Sequence, residues 1–242
     1  MNTTNQLSPT PSTKCEWAIE TLRSWISTGR LAPGQRIDQV WLANELNISR
    51  MPLRQALVQL TADGLLTSRG SHSSVIVTPL STTMLIDIYA SRCALESMLG
   101  EVATTKIDEA GIQTIQHLIE DQESAVEAKD IEKYVSLDRQ FHTIFYSYSG
   151  YEHACSLVDR LRNLSDRYVH FYAQDRHTNV HKSILEHYRM VRHIKERQAV
   201  RVRELIEMHI NDGCLTLLNI VEEQQLSDKS HSSPKYKKGN PS

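Results

Sequence analysis

Ser49-Arg50-Met51-Pro52-Leu53-Arg54-Gln55-Ala56-Leu57 is the stretch whose reading decides the fold of the N-terminal third. Ser49 is an N-cap residue, and Leu53, Ala56, Leu57 and Leu60 recur at helical spacing. A helix is therefore predicted from Ser49 to about Ala62, stopped by Asp63-Gly64. Arg50 and Arg54 lie one turn apart and share a face other than that apolar stripe. Just upstream, Asp38 caps a short helix from Gln39 to Leu46, and Asn47-Ile48 makes a tight turn between the two. Two short helices joined this way, the second presenting basic residues, form a helix-turn-helix.

The neighbouring segments complete a small unit. Upstream, a helix is expected from about Lys14 to Thr28, with Thr13 and Glu16 as a capping box and Ala18, Ile19, Leu22 and Ile26 as its buried stripe. Gly29 ends it, and Leu31-Ala32-Pro33-Gly34 is a turn. Downstream, Leu65 to Arg69 and Ser74 to Thr78 have strand character and are joined by the Gly70-Ser71-His72-Ser73 loop as a hairpin. The order is helix, helix, helix, hairpin.

Arginine grips guanine O6 and N7, or a phosphate, through two donors, and a helix N-terminus adds amide donors for a backbone phosphate. Arg50 and Arg54 at the start of the helix therefore suit a major groove, and Arg69 and Gly70 at the hairpin tip suit the adjacent minor groove or backbone. The alternative is that both arginines simply solvate an exposed helix face. Residues 13–80 carry seven basic and five acidic side chains, a local excess of positive charge in a chain whose net charge is -2.

The remaining composition is that of an ordinary globular protein, 40% hydrophobic and 23% charged, with room in 242 residues for two domains. The four cysteines are scattered and read as reduced thiols rather than a zinc knuckle or redox pair. No signal-peptide pattern and no membrane-length apolar run is present, so a soluble, cytoplasmic protein is expected. Residues 1–12 read as a disordered lead, 13–79 as the helix-turn-helix unit with its hairpin, 80–223 as an all-α bundle, and 224–242 as a disordered polar tail. Within the bundle, helices are predicted at 83–104, 108–128, 130–149, 151–174, 176–195 and 198–223.

Three of those helices send ligand-type side chains inward. Asp138 and His142 share a face with Ile131, Tyr134, Val135 and Phe145. His187 falls on the stripe of Val180, Ile184, Val191 and Ile194, and His209 on that of Val202, Leu205 and Ile206. Burying an ionised Asp without a partner is costly. One divalent cation would satisfy the carboxylate and three imidazoles together, and this donor set suits Zn, Ni, Mn or Fe(II) without choosing among them. The alternative for each histidine is a hydrogen-bonded core residue. His153, His177, His181 and His193 read as surface or locally bonded. Arg92 lies on the inward stripe of Leu85, Ile88, Leu95 and Leu99, and a guanidinium there needs an anion. That anion is either Glu96, one turn along, or a carboxylate of a small ligand.

Leu31-Ala32-Pro33-Gly34, Leu42-Ala43, the Ser49-to-Leu57 stretch, Leu60 and Asp63-Gly64-Leu65-Leu66 together resemble the winged helix of the GntR family of bacterial repressors. Met51 and Gln55 stand where the family usually has Thr and Glu. The resemblance implies operator contact by Arg50, Arg54 and Gly70; Ser49 at the helix start and Arg69 at the hairpin tip complete the expected DNA-binding set by their positions. Residues 84–222 resemble the FCD ligand-sensing domain of the FadR-type subgroup, through Arg92-x2-Leu95-Glu96, Asp138-x2-Phe141-His142, Glu186-His187 and Met208-His209-Ile210. One departure is Tyr151 after Gly150, where the family often has Asn. This resemblance implies a divalent metal held by Asp138, His142, His187 and His209, beside a small carboxylate effector reached by Arg92.

The expectation is therefore a mainly α protein, a homodimer that reads double-stranded operator DNA under effector control, as a repressor or an activator, and not an enzyme. Two other readings are a metal-dependent enzyme in the helical domain and a metal-free sensor of an acyl thioester.

Overall fold

The computed structural model describes residues 13–69, 74–173 and 180–231. The expected lead at 1–12, the hairpin tip with Gly70, His177 and the end of the chain beyond 231 lie outside the described residues, as does the side chain of Arg69.

Helix α1 (Lys14–Ser27) opens on the capping box, with the Thr13 hydroxyl accepting from the Glu16 amide and the Glu16 carboxylate accepting from the Thr13 amide. Helix α2 (Gln39–Glu45) is capped by Asp38, which accepts from the amides of Val40 and Trp41. Asn47 takes a left-handed φ of 49°, which brings α3 (Arg50–Ala62) back across α2. Ser49 occupies the N-cap of α3 with no side-chain cap bond, so the helix start rests on packing rather than on that hydroxyl. Strands β1 (Leu66–Arg69) and β2 (Ser74–Val77) pair antiparallel, Leu66 opposite Val77. Leu22, Leu42, Leu53, Ala56, Leu60, Leu65 and Val77 close a small core between the three helices and the hairpin.

Ser81 caps α4 (Thr82–Lys106) by accepting from the Met84 amide. The bundle continues with α5 (Glu109–Glu127), α6 (Ile131–Ser147), α7 (Glu152–Ala173), α8 (Val180–Lys195) and α9 (Ala199–His231). The final helix runs to His231, past the boundary expected at Glu223, so the segment read as a disordered tail is helical in its first part. A second core, with Leu85, Leu99, Ile119, Phe141, Phe145, Met190, Ile206 and Ile210, fills the bundle. Among the described residues the cysteines are free, and no helix is long and apolar enough to cross a membrane.

Helices α4 and α9 make the most intimate contact in the bundle, and Gly100 is the reason. A Cβ placed there would lie 2.1 Å from Ile206 Cδ1 and 3.4 Å from Phe145 Cε1, both on fully buried side chains. In an open helix, Gly→Ala stabilises by about 1 kcal/mol. Here overpacking reverses the sign, and Gly100→Ala is expected to destabilise the bundle by about 1–3 kcal/mol in denaturant unfolding. A gain in stability would show that the helices separate freely at this point.

Candidate functional site

Helices α6, α8 and α9 bring His142, His187 and His209 together, with one ligand-capable atom from each within 4.8 Å of the others. Asp138 joins them, its Oδ1 standing 3.7 Å from His187 Nε2 and 3.9 Å from His142 Nε2. The structure gathers the three histidines, with Asp138 beside two of them. Of the residues placed on their face of α6, Val135 instead turns outward and is 40% exposed.

The opposite nitrogen of each ring is held from behind. His187 Nδ1 lies 3.1 Å from Gln122 Oε1 on α5, and His209 Nδ1 lies 2.7 Å from Glu186 Oε2 on α8. Both oxygens only accept, so each Nδ1–H donates and each Nε2 carries its lone pair toward the centre. His142 Nδ1 is 3.2 Å from the Tyr146 hydroxyl. Burial first, then Arg162 and the neighbouring imidazoles, hold His142 well below the usual histidine range; burial, His209 and Arg162 do the same to His187. Those two rings are therefore neutral, the form that binds metal. The Nε2 atoms of His142 and His187 are buried without a hydrogen-bond partner. Two such nitrogens beside a carboxylate are a donor set that could hold a cation. Burial also raises the Asp138 carboxyl, against the pull of Arg162 and His209.

Beneath this centre lies a buried ionic network. Glu96 Oε1 accepts from Arg92 Nε at 2.7 Å, and Oε2 accepts from Arg162 Nη2 at 2.7 Å. Arg92 Nη1 also donates to Ser165 Oγ at 3.1 Å. Arg162 Nη1 faces Asp138 Oδ2 at 3.8 Å, so the network reaches the edge of the histidine cluster. Of the two anions weighed for Arg92, the chain itself supplies Glu96.

Gln122, Tyr146 and Arg162 were not singled out from sequence. Gln122 carries a legible signal, since it continues the buried stripe of Ile115 and Ile119. Arg162 follows Val158 by one turn on α7, a weaker signal in a helix rich in charge. His153 and His181 are exposed, and His193 bonds Gln198.

In the N-terminal unit, Ser49, Arg50 and Arg54 are exposed at the start of α3. Neither guanidinium makes a hydrogen bond or ion pair among the described residues. Met51 and Val58 are also exposed along α3, at 66% and 63%. A helix end with unengaged arginines is therefore presented outward beside the hairpin.

Comparison with known proteins agrees with this architecture. Residues 87–212 match the FCD domain, and residues 16–76 match the bacterial regulatory proteins of the gntR family. The HTH-type transcriptional regulator YdhC of Bacillus subtilis is 27% identical over 84% of this chain and 90% of its own length. The HTH-type transcriptional repressor RspR of Escherichia coli is 23% identical over 92% of this chain and 96% of its own. Among solved structures, E. coli McbR/YncC superposes with a TM-score of 0.75 over 86% of this chain and 98% of its own, at 21% identity, a likeness of fold. These relatives are transcription regulators, not enzymes.

The Glu96 network has a measurable consequence. Burial alone would raise its carboxyl, but Arg162 and then Arg92 outweigh that and hold it at about 2. Because the folded value is depressed, this stabilisation is complete above the ordinary value of 4.5 and is lost as pH falls toward 2. Glu96→Gln leaves two buried guanidiniums without their shared anion and is expected to cost about 3–5 kcal/mol at neutral pH. Urea unfolding of the two proteins checks it; equal midpoints would mean the network carries no net stabilisation.

Proposed function

The chain belongs to the GntR family of bacterial regulators with an FCD domain, and from that premise we propose that a divalent cation and a small carboxylate in the bundle control operator binding by its winged helix. The observation that carries the metal reading is the pair of buried, unpartnered Nε2 atoms on His142 and His187. A cation at that point answers both lone pairs, His209 and Asp138 at once. A metal-free sensor would leave them bare. Zn, Ni, Mn and Fe(II) all suit three imidazoles and a carboxylate.

The cation supplies a Lewis-acidic position for one oxygen of a carboxylate effector. Arg92 and Arg162, already gathered by Glu96, supply fixed positive charge beside it. On the DNA side, Arg50 and Arg54 are the side chains for base and phosphate contact, with Ser49 at the helix start and Arg69 and Gly70 at the wing. A homodimer suits this role, because one short recognition helix limits affinity and a twofold protein reads a palindromic site.

Two expected outcomes separate the halves of the proposal. Arg54→Ala is expected to weaken binding to DNA selected from a random pool by about 10- to 100-fold, the worth of one bidentate contact, with metal content unchanged. Fluorescence anisotropy measures it, and an undiminished affinity removes Arg54 from the interface. For the metal, elemental analysis of the purified chain is expected to find about one equivalent, lost in His187→Ala and weakened about 10- to 100-fold in Gln122→Ala. Stoichiometric metal retained in His187→Ala would overturn the ligand set.

A further inference from the structure

Helix α7 touches the candidate metal centre, the interdomain linker and the winged-helix core together. Toward the centre, Arg162 faces Asp138 and bonds Glu96, and Ser165 accepts from Arg92. Toward the linker, the Tyr168 hydroxyl accepts from the Ser81 amide at 3.1 Å and donates to the Ser81 carbonyl oxygen at 3.0 Å. Arg167 donates through Nη2 to the Thr78 carbonyl oxygen. Toward the DNA-binding unit, Leu164 packs against the backbone at Gly64 and joins both apolar cores. Helix α1 also rests on α7.

The linker end of this arrangement is sparingly bonded. Arg167 is buried, yet its Nε and Nη1 find no acceptor, and the Thr78 hydroxyl beside it is likewise buried and unpartnered. Burial lowers the Arg167 guanidinium to about 10, and no carboxylate acts on it. A joint that leaves donors of a buried cation unmet is one that a small movement of α7 can exchange for another arrangement. The centre end is firmly bonded through Glu96. A rigid helix thus connects a tightly held sensor contact to a loosely held hinge contact.

We infer that α7 carries occupancy of the metal centre to the winged helix: Arg162 registers the charge on Asp138, and Leu164, Arg167 and Tyr168 pass the resulting shift to the linker and the DNA-binding core. This inference rests on the metal-centre reading above. A cation bound by the imidazoles and Asp138 takes up the carboxylate charge that Arg162 otherwise faces. Arg162 then leans on Glu96, and α7 re-seats. The residues at 164, 167 and 168 follow, because they belong to the same rigid turns.

The chain carries its own reporter. Its three tryptophans, Trp17, Trp25 and Trp41, all lie in the winged-helix unit, and the bundle has none. Titration of the metal-stripped full chain with Zn2+ alone is therefore read two ways, by competition with a chromophoric zinc indicator and by tryptophan fluorescence. The wild type is expected to take up zinc and to change its tryptophan emission with the same midpoint. Tyr168→Phe, which removes only the hydroxyl that bonds Ser81, and Arg167→Met are expected to bind zinc with affinity within about threefold of wild type but to show about half the emission change or less. Zinc uptake with silent tryptophans in the wild type, or with undiminished emission change in either variant, overturns the role of α7 and leaves the metal centre standing. Failure of the indicator to register any uptake overturns the metal reading and this inference with it.

Discussion

Glu96 is wholly buried, and both of its oxygens are occupied by guanidiniums, Arg92 on its own helix and Arg162 on α7. A carboxylate or a guanidinium left alone in such a place costs several kcal/mol, so neither side of the arrangement tolerates loss of the other. The constraint is geometric as well as energetic. One charge-assisted bond of 2.7 Å, from Arg162 to Glu96, and the bond from Arg92 to Ser165 at 3.1 Å fix how α7 lies along α4. With that register set, Arg162 stands opposite Asp138, Ser165 meets Arg92, and Tyr168 arrives at Ser81. The histidine cluster and the interdomain joint are both positioned through this one buried anion.

The histidine cluster is built by a different rule. Burial, the neighbouring imidazoles and Arg162 keep His142 and His187 neutral, and the orientation of the three rings is set by Gln122, Glu186 and Tyr146 rather than by the cluster itself. Three helices supply the rings, while two of those three and α5 supply the groups behind them. Such a centre is preorganised, since the lone pairs already point inward and binding a cation need not reorder the side chains. Preorganisation also lets a small change of charge at Asp138 reach a neighbour instead of being absorbed by loose side chains.

The winged helix has the opposite character. Its core is small and closed by aliphatic residues, and its candidate DNA-binding face is a solvated helix end where Arg50 and Arg54 are unengaged among the described residues. Unpaired surface arginines cost nothing in water and become strong contacts against phosphate or guanine. The described joint between the two units includes a few hydrogen bonds to the linker, the packing of α1 on α7 and an apolar contact at Leu164. A regulator needs that contrast: rigid parts at both ends and few bonds between them.

Much of this was legible in the sequence, because it depends on interactions between residues close in the chain. The capping box at Thr13 and Glu16, the Asp38 cap, the turn at Asn47 and the helical stripes are all local. The inward placement of Asp138, His142, His187 and His209 also follows from helical periodicity alone. Gln122 was readable by the same periodicity, as a polar residue on the stripe of Ile115 and Ile119. Tertiary structure alone decided which stripes face each other: that Arg92 and Arg162 share Glu96, that Gln122 and Glu186 stand behind His187 and His209, and that Arg167 and Tyr168 meet the linker. Those partners are 23 to 89 residues apart, with Arg92 and Glu96 the single local pair. Periodicity states which side of a helix is buried, but the helix packed against that side is chosen by the summed fit of all the stripes.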